Sequence, residues 1–129
     1  LVFMVLSGNA DAHLKNWSLI YPDGVHARLS PAYDLLAVIV YPQYSRQLAL
    51  NFNRSKRFED VSLAGFARFA RKIERTEAEI LEWVREDVPR VLQAWSDIRE
   101  GVPLAPPRRA RIDEHLALLR GAPNSIVQL

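Results

Sequence analysis

Ser7-Gly8-Asn9-Ala10-Asp11-Ala12-His13-Leu14-Lys15-Asn16 is the stretch on which the reading of this 129-residue chain turns. It is the densest cluster of chemically able side chains in the sequence. A short apolar run, Leu1 to Leu6, leads into it. Trp17-Ser18-Leu19-Ile20-Tyr21 leads away and is rich in strand formers. Pro22-Asp23-Gly24 then signals a turn, with Gly24 able to take a positive φ. Val25-His26-Ala27-Arg28-Leu29 alternates and is expected to pair back as a hairpin over residues 17–29. The hairpin returns the chain to a second polar point, Ser30-Pro31-Ala32-Tyr33-Asp34. Asp11, Asn16 and Asp34 are therefore expected to meet in space.

Oxygen-bearing side chains at this spacing suit a hard cation. Mg²⁺ takes oxygen ligands, keeps several waters and shares its coordination with substrate phosphates. Phosphoryl transfer needs a carboxylate to orient the attacking hydroxyl, and an amide and carboxylate to hold metal against the phosphates. In protein kinases an Asp is followed by Asn at the fifth position, and a later Asp holds metal. Asp11 and Asn16 have that spacing, and Asp34 stands where the later Asp would stand. Asp34 also has a plainer reading, as the side-chain cap of a short helix within the apolar run Leu35 to Tyr41. His13 reads either as a metal ligand or as a residue that packs under the loop and holds it. Lys15 would steady a phosphate or pair with Asp11.

The order Gly8-Asn9-x-Asp11-x-His13-x-Lys15-Asn16, a hairpin, then Ser30-Pro31-Ala32-Tyr33-Asp34-Leu35 resembles the C-terminal kinase region of HipA-like proteins. These are the serine/threonine kinase toxins of bacterial toxin–antitoxin modules. The resemblance runs the whole chain, through Gln47-Leu48-Ala49-Leu50 and the segments beyond. It implies an α+β, mainly α fold: the C-terminal lobe of a protein-kinase-like architecture, with a small β-hairpin beside the catalytic loop and a helical bundle. Residues 1–58 would carry the catalytic loop and metal-binding segment, 59–121 the bundle and 122–129 a tail. Asp11 would be the catalytic base, Asn16 and Asp34 the metal ligands, and His13 and Lys15 supporting residues. The resemblance also implies Mg²⁺ and ATP, a HipB-like antitoxin that contacts DNA on the kinase's behalf, and a cytoplasmic location. Some members phosphorylate glutamyl-tRNA synthetase and so arrest growth. Two rivals stand beside it: a metal-dependent hydrolase built on Asp11, His13 and Asp34, and a non-catalytic interaction module.

Composition sets bounds on these readings. Apolar residues make up 49% of the chain and charged residues 25%, as in an ordinary globular domain. A formal charge of +2 gives little reason to expect direct nucleic-acid binding. There is no cysteine, so disulfides and thiolate metal sites are excluded. Leu1–Leu6 is too short to cross a membrane and lacks the flanks of a signal peptide. A chain that opens on such residues reads as the continuation of a helix begun earlier. The five glycines form no Gly-x-Gly-x-x-Gly and no Walker A motif. The chain alone is therefore expected not to phosphorylate anything.

Beyond the polar points, Gln47 to Phe52 reads as a short strand and Asn53-Arg54-Ser55-Lys56 as a turn, with Asn53 tolerant of the left-handed region. Asp60 or Ser62 is expected to start a helix carrying Phe66, Ala70 and Ile73 on one face. Thr76 and Glu79 form a capping-box pattern for the next helix. Pro89 is expected to kink or divide that helix, and its Trp83 and Trp95 to lie in the core. A last helix, from about Pro107 to Arg120, would end on Gly121 as its C-terminal cap, with a loose tail following. Arg108, Arg109 and Arg111 would face either solvent or an acidic partner.

Overall fold

The computed structural model describes residues 1–128. Four helices dominate: α1 (Val2–Leu6), α2 (Leu63–Lys72), α3 (Glu77–Ile98) and α4 (Pro106–Gly121). A two-stranded antiparallel sheet, β1 (Leu19–Ile20) with β2 (Arg28–Leu29), completes the regular structure, beside three short 3-10 turns at Leu14–Asn16, Val38–Val40 and Phe58–Asp60. The fold is mainly helical with a small hairpin, as the resemblance implies.

The core forms where apolar residues of α1 meet α3, α3 meets α2, and α4 packs on the 38–40 and 58–60 turns. Val5 and Leu6 are buried there with Ile39, Phe58, Val84, Leu116 and Leu119. The site-bearing loop thus leaves a helix that is itself core, which gives it a rigid root.

Local chemistry explains both ends of α2 and the start of α3. Ser62, one of the two expected starts, caps α2: its Oγ accepts from Gly65 N–H at 3.2 Å. The end of α2 carries no glycine, yet Glu74 takes φ 56° while Arg75 N–H reaches Ala70 C=O at 3.0 Å and Glu74 N–H reaches Arg71 C=O. That is the left-handed helix stop usually given to Gly. Thr76 Oγ1 accepts from Glu79 N–H and opens α3. Helix α3 then runs as one piece through Pro89. Ile80, Val84 and Val88, four apart and all buried, hold one face of it on the core across the missing hydrogen bond.

Five expectations are corrected. The hairpin ladder is two residues a side rather than five. Asp23 captures Val25 N–H at 3.0 Å and His26 N–H at 2.8 Å, so those donors never reach a partner strand. These bonds, with one to the His26 ring, lower the Asp23 carboxyl to about 2. The 47–52 segment is no strand. Phe52 packs instead on Phe66, ring centroids 5.0 Å apart, and Asn53 and Arg54 both turn back through positive φ. Gly121 does not cap α4 but is its last residue, and Ala122 continues in extended backbone. The segment read as a loose tail is anchored: Ser125 and Ile126 are buried, and Ile126 N–H donates to Val61 C=O at 3.2 Å. Leu129, the end of that tail, lies outside the described residues. Trp83 is 51% exposed; Trp95 alone packs against the core, its Nε1–H on Asp113 Oδ1.

Candidate active site

The loop from Ser7 to Asn16 is shaped by what it cannot hold. Gly8 has φ 68°, and a Cβ there would stand 2.5 Å from the side chain of Ile39. Its absence lets the 34–39 segment come close, and Ile39 N–H donates to Gly8 C=O at 3.2 Å. Farther on, His13 and Asn16 bracket the 3-10 turn. His13 Nδ1 accepts from Lys15 N–H at 3.2 Å, and Asn16 Oδ1 accepts from His13 N–H at 3.2 Å. A neutral His13 that accepts at Nδ1 carries its proton on Nε2. His13 thus ties its own turn to Lys15 and Asn16.

Asn16 and Asp34 come together. The buried Asn16 donates through Nδ2 to Asp34 Oδ2, across 18 residues of sequence. Tyr33 seals the same junction from outside, its hydroxyl donating to Lys15 C=O at 2.7 Å and lying 2.6 Å from Ser18 Oγ. Asp34 is not a helix cap. The next turn begins after Ala37, and Asp34 itself takes φ 56°. The Asp11 carboxylate stands on the exposed edge of the loop, its Oδ1 3.9 Å from His13 Nε2. The side chain of Lys15 is exposed and makes no ion pair with Asp11 among the described residues.

The donor set fits a small hard cation. Asn16 and Asp34 each carry an oxygen of the kind Mg²⁺ takes, although Asn16 turns its amide nitrogen to Asp34 and its Oδ1 to His13 N–H, and Mg²⁺ asks for few protein ligands and room for water and phosphate. A three-ligand hydrolase centre of Asp11, His13 and Asp34 is not supported. Among the described residues no three His, Cys, Asp or Glu side chains gather as a metal cluster.

Two residues of this neighbourhood carry no role in the sequence reading. Asn9 is 1% exposed, accepts from Asp11 N–H and donates to Asp34 C=O. An amide directly after a loop glycine marks a turn, but nothing in the sequence says what that amide reaches. His115 of α4 is buried and its Nε2 donates to Val5 C=O at 2.8 Å, just before the loop begins. Nothing in the sequence pairs residues so far apart. Two of the three arginines of the basic cluster find partners within the chain: Arg109 pairs with Glu100 at 3.0 Å, and Arg108 lies over the Tyr41 ring. An apolar hollow of about 690 Å³ lies behind the site between α1, α3 and α4, with Phe3, Leu35, Val91, Trp95 and Leu104 on its walls. None of Asp11, Asn16 or Asp34 lines it.

Residues 1–95 match the family described as the HipA-like C-terminal domain. The chain belongs to that family. Among curated relatives it is 44% identical over 115 residues to "Putative kinase Y4dM" of Sinorhizobium fredii, covering 89% of this chain and 28% of that protein. It is also 44% identical over 50 residues to the "Serine/threonine-protein kinase toxin HipA" of Shewanella oneidensis, covering 38% of this chain and 11% of the relative. The chain thus spans well under a third of the relatives it matches. In structure it resembles a chain of the Shewanella oneidensis HipA, HipB and operator DNA complex, with a TM-score of 0.70 and 24% identity over 92% of this chain and 28% of the other. The kinase-like HipA fold places the hairpin beside the loop and the helices behind it. Among the described residues no helix is long and apolar enough to cross a membrane.

Proposed function

We propose that this HipA-like domain forms the catalytic edge of a serine/threonine protein kinase that transfers the ATP γ-phosphoryl group to a protein hydroxyl. The observation that carries the reading is the contact between Asn16 and Asp34, with Asp11 on the same short loop. Asp11 is exposed and can meet an incoming hydroxyl. It orients that group and accepts its proton as the oxygen attacks the γ-phosphorus and ADP leaves. Asn16 and Asp34 would hold Mg²⁺, which when bound neutralises charge on the phosphates. Asn16, fixed by its bond to His13 N–H, presents its amide to Asp34 without needing to be ordered first. Lys15, free of Asp11, is available to the transferred phosphate. No glycine-rich phosphate loop lies in these residues, so the reading asks for one from elsewhere in the protein.

The same reading assigns a HipB-like antitoxin as partner, with DNA approached through it, and glutamyl-tRNA synthetase as a candidate substrate. Support comes from the family, from relatives named as kinases and from a similar fold seen in a complex with HipB and operator DNA.

The test uses the protein at its full natural length with Mg²⁺ and γ-labelled ATP, beside Asp11→Ala and Asp34→Asn. Label in the parent protein and a loss of at least about a hundredfold in both variants is expected, given the weight of base and metal ligand in such reactions. Equal label in all three would remove these residues from the site. No label and no bound nucleotide would favour the interaction module.

A further inference from the structure

We propose that Asn9 is a positioning residue of this site: one buried amide that fixes the distance and angle between the Asp11 loop and the Asp34 segment. The inference rests on the kinase reading and deepens it.

The geometry is specific. Asn9 Oδ1 accepts from Asp11 N–H at 3.1 Å. Its Nδ2 donates to Asp34 C=O at 3.1 Å, across 25 residues. Its own N–H donates to Met4 C=O at 2.9 Å, which roots the residue in α1. One side chain therefore touches the backbone of both candidate carboxylate residues and is itself held by the core. Among the described residues no other hydrogen bond is made by the Asp34 backbone. That backbone is at φ 56°, where a residue with a side chain stays only if its surroundings hold it. Asn9 supplies the hold, and the Asp34 carboxylate then faces Asn16.

The amide is matched to this task. It offers one acceptor and two donors on a short, planar head. Aspartate would lose the donor to Asp34 C=O. Serine would keep an acceptor near Asp11 but falls short of Asp34. Alanine would leave both backbone groups unpaired at a buried junction, and such groups seek partners by moving. Residues that orient metal ligands from behind change metal affinity about ten- to a hundredfold when removed.

The experiment again uses the full natural length, as parent, Asn9→Ala, Asn9→Ser and Asp34→Asn. Mn²⁺ affinity is measured by paramagnetic resonance with a non-hydrolysable ATP analogue present, and nucleotide binding is measured without metal. Asn9→Ala and Asn9→Ser are expected to weaken Mn²⁺ binding at least about tenfold while metal-free nucleotide binding holds. Half-maximal label transfer should need correspondingly more Mg²⁺. Unchanged Mn²⁺ affinity in both Asn9 variants, with Asp34→Asn losing the metal, overturns the inference and leaves the kinase reading intact. A lower melting temperature with metal affinity kept makes Asn9 a packing residue and overturns it equally, as does failure of both variants to fold. Unchanged metal affinity in Asp34→Asn overturns the kinase reading itself.

Discussion

At the scale of single residues, the loop depends on an absence. Gly8 carries two constraints at once, a left-handed φ and a wall formed by the buried Ile39. Gly24 in the hairpin turn carries one: its φ is 76°, and a Cβ there would meet nothing within 4 Å. The pair separates the two costs. Gly24→Ala should cost about 1 kcal/mol for the backbone alone. Gly8→Ala should cost that and roughly 1–3 kcal/mol more, because Ile39 has nowhere to go in a packed core. Urea unfolding of both variants checks this, and equal losses would show that Ile39 yields freely. The same scale shows what spacing can reveal. Asp11, Asn16 and Asp34 could be read as a set from residue type and separation, and the structure brings two of them, Asn16 and Asp34, into contact. Asn9 was not visible, because its role lies in reaching the carbonyl of residue 34, and carbonyls leave no mark in a sequence.

At the scale of elements, N-terminal capping chemistry survived contact with the structure, while strand length, the Gly121 cap and the loose tail did not. Ser62 and Thr76 cap the helices they precede. The strand expected at 25–27 lost to one aspartate, whose side chain accepts the Val25 and His26 N–H groups locally and competes with a ladder. The last segment was read as loose because it lacks a helical pattern. Ile126 is nevertheless fully buried, and Ser125 bridges to Ser62 at the start of α2. A short irregular segment can thus contribute as much as a helical turn. Ile126→Ala is expected to cost about 2–5 kcal/mol, the range for emptying a filled core position. Removing residues 123–129 should cost at least as much. Thermal unfolding of the two variants decides the point, and parent-like midpoints would restore the loose tail.

At the scale of the whole molecule, the two ends of the chain close on each other at the root of the site. His115 in α4 donates to Val5 C=O, 110 residues away, and the same carbonyl accepts from Gly8 N–H at 3.2 Å. The ring also packs edge-on against Phe58, centroids 4.9 Å apart. Burial pushes the His115 ring below its ordinary value of 6.5, and the charge of Arg46 adds to this; the Val5 carbonyl and Glu59 act in the opposite sense without prevailing. The sign of the linkage follows. Below pH 6.5 the unfolded chain takes up a proton that the folded ring resists, so acid favours unfolding. The contribution of His115 is fully present above that pH and is lost as pH falls from there toward the lower folded value. His115→Gln keeps a donor of similar reach but has nothing to titrate. The melting temperature of the parent should therefore fall more steeply than that of the variant between about pH 7.5 and pH 5.5. His13 and His26 are common to both proteins and cancel in the comparison. Because Val5 leads directly into Gly8 and Asn9, steeper acid loss in the parent would tie the integrity of the site to a residue near the far end of the chain. Parallel curves would mean the imidazole reaches a proton without disturbing the fold, and that α4 is held on α1 by its apolar residues alone.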